Sequence, residues 1–203
     1  MKNTLRWTLA IGMAVILCGC MEEQTSTSRT GFLSDYSKLE AVSDTSFRYI
    51  APGNPLARYS KFIIEPVAIS VSSSSMKDIS QEDLTDLKNY MHSAVVDAIK
   101  DRYEIVYRPG PGVARVRIAL TDLKQSSTVQ NVMPLTKLAG TGLGGASLEA
   151  ELLDSQTHKQ IGAIVESQLG SRLSLAGIST WGDAKSVMDD WAKRFRQRLD
   201  ESR

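Results

Sequence analysis

Cysteine is nearly absent from this chain of 203 residues: Cys18 and Cys20 are the only two, and both close the first apolar run. A disulfide framework, a thiolate metal site and a cysteine nucleophile are thereby excluded from everything downstream. Histidine is as scarce, with His92 and His158 far apart in the sequence. A nucleophilic hydrolase needs a base beside its nucleophile, and a zinc site needs about three or four ligands, so neither chemistry has its usual residues. No charge of one sign dominates, since 24 Lys and Arg stand against 23 Asp and Glu. That balance points away from nucleic acid and from anionic membrane surfaces as partners.

What the chain does have is a marked N-terminus. Lys2 and Arg6 precede an uncharged, mostly apolar run from Trp7 to Leu17, which ends at Leu17-Cys18-Gly19-Cys20. A basic head before an apolar stretch of about 7–15 residues is a secretory signal, too short to span a bilayer as a mature helix. The tetrapeptide resembles a bacterial lipobox, which implies cleavage before Cys20 and a covalent lipid on that residue, residues 1–19 being the signal. One acyl chain binds a membrane only marginally, at about 0.8 kcal/mol per buried methylene, so a stable anchor takes at least two. Met21 replaces the Asp of the familiar inner-membrane retention signal, and the expectation is therefore the periplasmic face of the outer membrane. Residues 20–30, polar and rich in Ser, Thr and Glu, read as a lipidated flexible tether.

Residues 31–203 are expected to form one domain. Gly31 to Leu56 carries scattered apolar residues without sustained periodicity and reads as an irregular lead-in that wraps the domain. Lys61 to Val71 predicts a strand with a bulge or an edge position at Pro66. Ser80 to Asp83 has the spacing of a capping box, and Leu84, Leu87, Met91, Val95 and Ala98 repeat at helical spacing after it. Tyr103 to Tyr107 predicts a short strand, and Pro109-Gly110-Pro111-Gly112 a turn. Val113 to Leu123, Ser147 to Leu153 and Gln160 to Gln168 predict three further strands. Thr180 and Asp183 repeat the capping-box spacing before a last helical stripe of Ala184, Val187, Met188, Trp191, Phe195 and Leu199. The order β-α-β-β-β-β-α predicts an α+β fold: a mixed, mostly antiparallel sheet with two helices on one face.

Several motifs occur together: the lipobox, Gly31-Phe32-Leu33-Ser34-Asp35-Tyr36, Pro109-Gly110-Pro111-Gly112-Val113 leading into Arg115-Val116-Arg117-Ile118, and Trp181-Gly182-Asp183-Ala184 ahead of Met188-Asp189-Asp190-Trp191. In this combination the chain resembles the bacterial lipoprotein family catalogued as domain of unknown function 3313. The resemblance spans essentially the whole mature chain and implies no catalytic or binding residue, because none is assigned in that family.

The remaining candidates are weighed on their chemistry. Gly140, Gly142, Gly144 and Gly145 lie in a stretch that fits G-x-G-x-x-G. The dinucleotide fingerprint needs a strand before it and a helix after it, and here a strand follows. Val132 to Ala146 therefore reads as a loop packed on the core, its alternative being a lid over an apolar groove. Arg115 and Arg117 oppose Glu149 and Glu151 as expected cross-strand partners on the outer sheet face, which would be a docking surface if that face is uncovered. Lys193, Arg194, Arg196 and Arg198 follow Asp189 and Asp190 on the last helix, an order that complements the helix dipole. The sequence thus predicts no catalytic residue, no metal and no cofactor beyond the lipid on Cys20. The expected activity is binding: an adaptor for an envelope protein partner, alternatively a carrier or sensor of an apolar envelope ligand, and least of all an envelope hydrolase.

Overall fold

Alternating apolar residues over Val113–Lys124, Gly145–Asp154 and Gln160–Leu169 build the three long strands that organise the chain, seen in a computed structural model that describes residues 29–70, 79–127, 142–171 and 179–203. In chain order the elements are β1 (Glu40–Ser43), β2 (Ser46–Ile50), β3 (Lys61–Ile64), β4 (Ala68–Ile69), α1 (Gln81–Ile99), β5 (Glu104–Ile105), β6 (Val113–Lys124), β7 (Gly145–Asp154), β8 (Gln160–Leu169) and α2 (Gly182–Glu201). They form an open eight-stranded sheet in the order β1-β2-β8-β7-β6-β3-β5, with β4 also paired to β6. Only the pairings of β3 and β4 with β6, and of β3 with β5, are parallel. The expected α+β architecture is what the chain adopts.

Pro66 acts as the sequence suggested. β3 pairs Ile64 with Val116, the ladder lapses, and β4 resumes by pairing Ala68 with Ala119. One extra residue is accommodated there, because proline cannot donate to the ladder. Helix α1 starts where the capping spacing placed it, with Ser80 Oγ accepting from the Asp83 amide at 3.0 Å. Its buried stripe is Leu84, Leu87, Met91, Val95 and Ile99. Helix α2 departs from its prediction. Asp183 does not serve a capping box; its carboxylate is buried and accepts from Ser126 Oγ at 3.0 Å and from the Gly144 amide at 2.9 Å. It pins the start of α2 to the β6 end and the segment before β7.

The lead-in is also more regular than expected. Residues 40–50 form the antiparallel hairpin β1–β2, and β2 extends the sheet by pairing with β8, Phe47 opposite Val165 and Arg48 opposite Ile164. The alternation that drives it spans only five residues, so no sustained period shows in the sequence. Both helices lie on one face, α1 over β3 and β4, α2 over β7 and β8, and they pack against each other. The main core fills the space between, with Phe62 set edge-on to Tyr103 and Phe195. On the opposite face a smaller apolar cluster joins Leu33, Ala163 and Val165 with the flanking Phe47 and Tyr49.

Leu87 has no exposed surface. Truncation to alanine leaves a cavity under the whole helix layer, and Leu87→Ala is expected to lower unfolding stability by about 2–5 kcal/mol in urea titrations.

Candidate functional site

The outer sheet face, where the sequence placed solvated charge pairs, is covered. Glu149 and Glu151 are 0% and 2% exposed. The segment from Thr30 to Tyr36 crosses the face and supplies their hydrogen bonds. Glu149 accepts from the Thr30 amide at 2.7 Å, from Thr30 Oγ1 at 3.1 Å and from the Tyr36 hydroxyl. Glu151 accepts from the Ser34 amide at 3.0 Å, from Ser34 Oγ at 2.6 Å and from Gln160 Nε2 at 3.0 Å, and it forms an ion pair with Arg117. Arg117 lies directly opposite Glu151 in the ladder, as expected, but Arg115 faces Leu153 and pairs instead with Glu65 at 2.6 Å. Phe32 stacks on the Arg117 guanidinium at 4.7 Å. The expectation of an uncovered docking face is thereby corrected. A buried carboxylate needs partners, and the lead-in provides them. Burial, and secondly the bond to Glu149, push the Tyr36 phenol above its ordinary range.

Two of the glycines, Gly144 and Gly145, are packed as well. A Cβ at Gly144 would lie 2.5 Å from Ser126 Oγ, and one at Gly145 would lie 2.5 Å from the Gln168 carbonyl. Gly142 takes the left-handed conformation with φ 76°. Gly144 and Gly145 are close-approach positions, and none of the three lines the groove described next. Residues 132–141 of the candidate loop, Gly140 among them, and the lipidation residue Cys20 lie outside the described residues. His92 sits on α1, its ring 3.4 Å from the Ile64 carbonyl, and His158 occupies a turn with φ 57°.

A site that sequence reasoning missed lies on the helix side. Because β2 widens the sheet beyond the helix layer, the angle between α2 and the β2–β8 edge remains open. It forms a groove of about 130 Å³. Its walls are Trp191 and Phe195 from α2 and Met91 and Val95 from α1; Ala150 and Ile164 lie on its floor. Gly162 keeps part of that floor at backbone level. Three arginines line it as well: Arg48 from β2, Arg194 and Arg198 from α2. Arg194 donates to Glu166 at 2.5 Å and to Gln168 at 3.3 Å, while Trp191 Nε1 donates to the same Glu166 oxygen at 3.1 Å. The Arg198 guanidinium is pushed below its ordinary range first by burial, then by the nearby charges of Arg48 and Arg194. The basic run on the last helix was the available signal; its convergence with Arg48 depends on a strand pairing that the sequence does not disclose.

Comparisons with known proteins agree with the pattern of motifs. The family described as a protein of unknown function (DUF3313) matches residues 28–195. The uncharacterized lipoprotein YdcL of Escherichia coli (strain K12) is 24% identical over 194 residues, covering 87% of either chain. Among solved structures, a subunit of the PelC dodecamer from Paraburkholderia phytofirmans shares 14% identity at a TM-score of 0.47, over 76% of this chain and 96% of its own. The protein XCC0632 from Xanthomonas campestris shares 13% at a TM-score of 0.40, over 76% of this chain and 94% of its own.

The covered face makes a direct prediction. Tyr36→Phe removes one donor from a buried carboxylate and is expected to cost about 1–3 kcal/mol of stability. The loss should shrink in a Glu149→Gln background, as a double-mutant cycle by urea unfolding will measure. The folded state holds the Tyr36 proton more tightly than the unfolded chain. Its contribution is therefore full below pH of about 10 and is lost as pH rises through the folded value. Tyr36→Phe should accordingly make the alkaline decline shallower than in the wild type, although Tyr59 and Tyr90, both pushed up to about 12, keep their share.

Proposed function

The chain belongs to the family of unknown function DUF3313, and from that premise we propose that it is a lipid-anchored envelope protein that carries or senses an apolar ligand, held in the groove between α2 and the β2–β8 edge. The groove carries this reading. It is lined mostly by apolar side chains, it is formed by rigid elements on three sides, and it is open to solvent. Its volume is comparable to that of an apolar cavity of ~150 Å³ that takes up benzene, so it accommodates about six carbons of a ligand whose remainder extends outward. Binding rather than catalysis is the activity proposed, and the lining residues offer the surface complementarity such a role requires.

The anchor rests on two supports, the Leu17-Cys18-Gly19-Cys20 tetrapeptide and a relative that is itself named a lipoprotein. Among the described residues no helix is long and apolar enough to cross a membrane; attachment is assigned to the lipid on Cys20 on the strength of the tetrapeptide. Met21 favours the periplasmic face of the outer membrane as the destination. A second reading, the adaptor for an envelope protein partner, has one observation in its favour. All four residues of β1 are exposed at the end of the sheet, Val42 among them, and a strand from a partner can extend such an edge.

The full lipidated protein, purified from envelope membranes and extracted with organic solvent, is expected to release a defined non-covalent lipid. Ala150→Leu, which fills the groove floor, should abolish that recovery while leaving the melting temperature within a few degrees of wild type. An empty wild-type protein, together with one envelope protein crosslinked in cells by the wild type and not by Cys20→Ala, would establish the adaptor reading instead.

A further inference from the structure

The arginines of the groove separate into two kinds, and the difference identifies what the groove binds. Arg196, on the same helix, is satisfied by Asp101 and Asp200. Arg194 is answered by Glu166 and Gln168. The Arg48 and Arg198 guanidinium groups have no hydrogen bond and no ion pair among the described residues, although both are half-buried against the apolar lining and Glu40 stands opposite Arg48 in the β1–β2 ladder. The acids acting on Arg198 are Glu166, already engaged by Arg194, and Glu201; the cations acting on it are Arg48 and Arg194. Folding thus gathers three guanidinium groups beside an apolar wall with only one carboxylate hydrogen-bonded among them.

Resting on the reading of the groove as an apolar ligand site, we infer that its ligand is a single-chain anionic amphiphile, its acidic head between Arg48 and Arg198 and the first methylenes of its chain against Trp191, Phe195 and Ile164. Guanidinium groups pair with carboxylate or phosphate oxygens through two parallel N–H donors, so both head groups satisfy the same site. The unpaired arginines supply the charge complementarity, and the groove volume of about 130 Å³ matches one chain segment. A neutral apolar molecule would fill the same space and leave both guanidinium groups without an ion-pair partner.

Trp191 lines the groove, while Trp181 lies ten positions earlier at the start of α2, roughly 15 Å away along the helix. Selective quenching of Trp191 by brominated short-chain probes therefore reports occupancy. The full lipidated protein, held in nanodiscs of neutral phosphatidylcholine, would be titrated with 6-bromohexanoate, 6-bromohexyl phosphate and 6-bromohexanol. Saturable quenching is expected with both acids, at least tenfold tighter than with the alcohol, and whichever acid binds tighter assigns the head group. Arg48→Gln combined with Arg198→Gln should weaken the acids about tenfold or more and leave the alcohol unchanged. If that pair loses the alcohol too, Arg48→Lys with Arg198→Lys decides: a retained preference for acid supports the assignment, and its loss overturns it. Equal affinity for acid and alcohol in the wild type would overturn the anionic ligand while keeping the apolar groove. No saturable quenching by any of the three would overturn the groove reading itself.

Discussion

Two carboxylates on the middle strand, β7, cannot be left dry and alone, and much of the molecule's arrangement follows from that. Glu149 has no exposure, and its donors are a backbone amide and two hydroxyls, all neutral. A buried anion without such donors would cost several kcal/mol or more, so the segment from Thr30 to Tyr36 is as much a part of the folded sheet as any strand. The same segment brings Leu33 onto Ala163 and Val165, which joins polar satisfaction to apolar burial on one face. Ser70 extends the chain of donors by bonding Thr30 Oγ1 at 2.9 Å, tying the outer layer back to the end of β4.

The two faces of the sheet are finished by different means, and this difference creates the groove. On the outer face an irregular segment adapts to whatever side chains the strands present. On the inner face two helices of fixed diameter must cover a sheet widened by the β1–β2 hairpin. Helix α2 reaches β7 and β8, and the edge beyond β8 is left to Arg48 and Ile50. Ile50 is 43% exposed, an apolar side chain at the mouth of a partly closed space. Charge on α2 is handled pair by pair along its length, until Arg198 meets Arg48 and neither guanidinium is in an ion pair among the described residues.

Much of this was legible in the residues. Long alternations at Val113–Leu123 and Gln160–Gln168 became β6 and β8 because each has a buried face that fixes its register. Ser80 capped α1 because its spacing to Asp83 is a local matter, settled within one turn. The Arg117–Glu151 pair was readable from strand order, whereas the pairing of Arg115 with Glu65 depends on the parallel crossover β3–β6, which brings residues 50 apart in the chain together. Glu149 and Glu151 read as exposed because alternation with leucine normally marks a solvent face. What covers them lies more than 110 residues earlier, in a segment with no periodicity to announce its role. Asp183 misled for the same reason: its spacing is that of a cap, yet its oxygen is taken by Ser126 and Gly144, which no local pattern connects to it.

The latch at Thr30 also determines how the domain answers to a pull. Any tension carried by the chain before residue 29 reaches the sheet first at Thr30 and then at Ser34, through hydrogen bonds to Glu149 and Glu151 on β7. β7 is an interior strand, flanked by β8 and β6 along almost its full length. Load therefore enters at the mechanically strongest line of the sheet, where many ladder bonds share it. The two-stranded margin β1–β2, which a pull from its own end would peel one bond at a time, lies behind that attachment and is shielded from it.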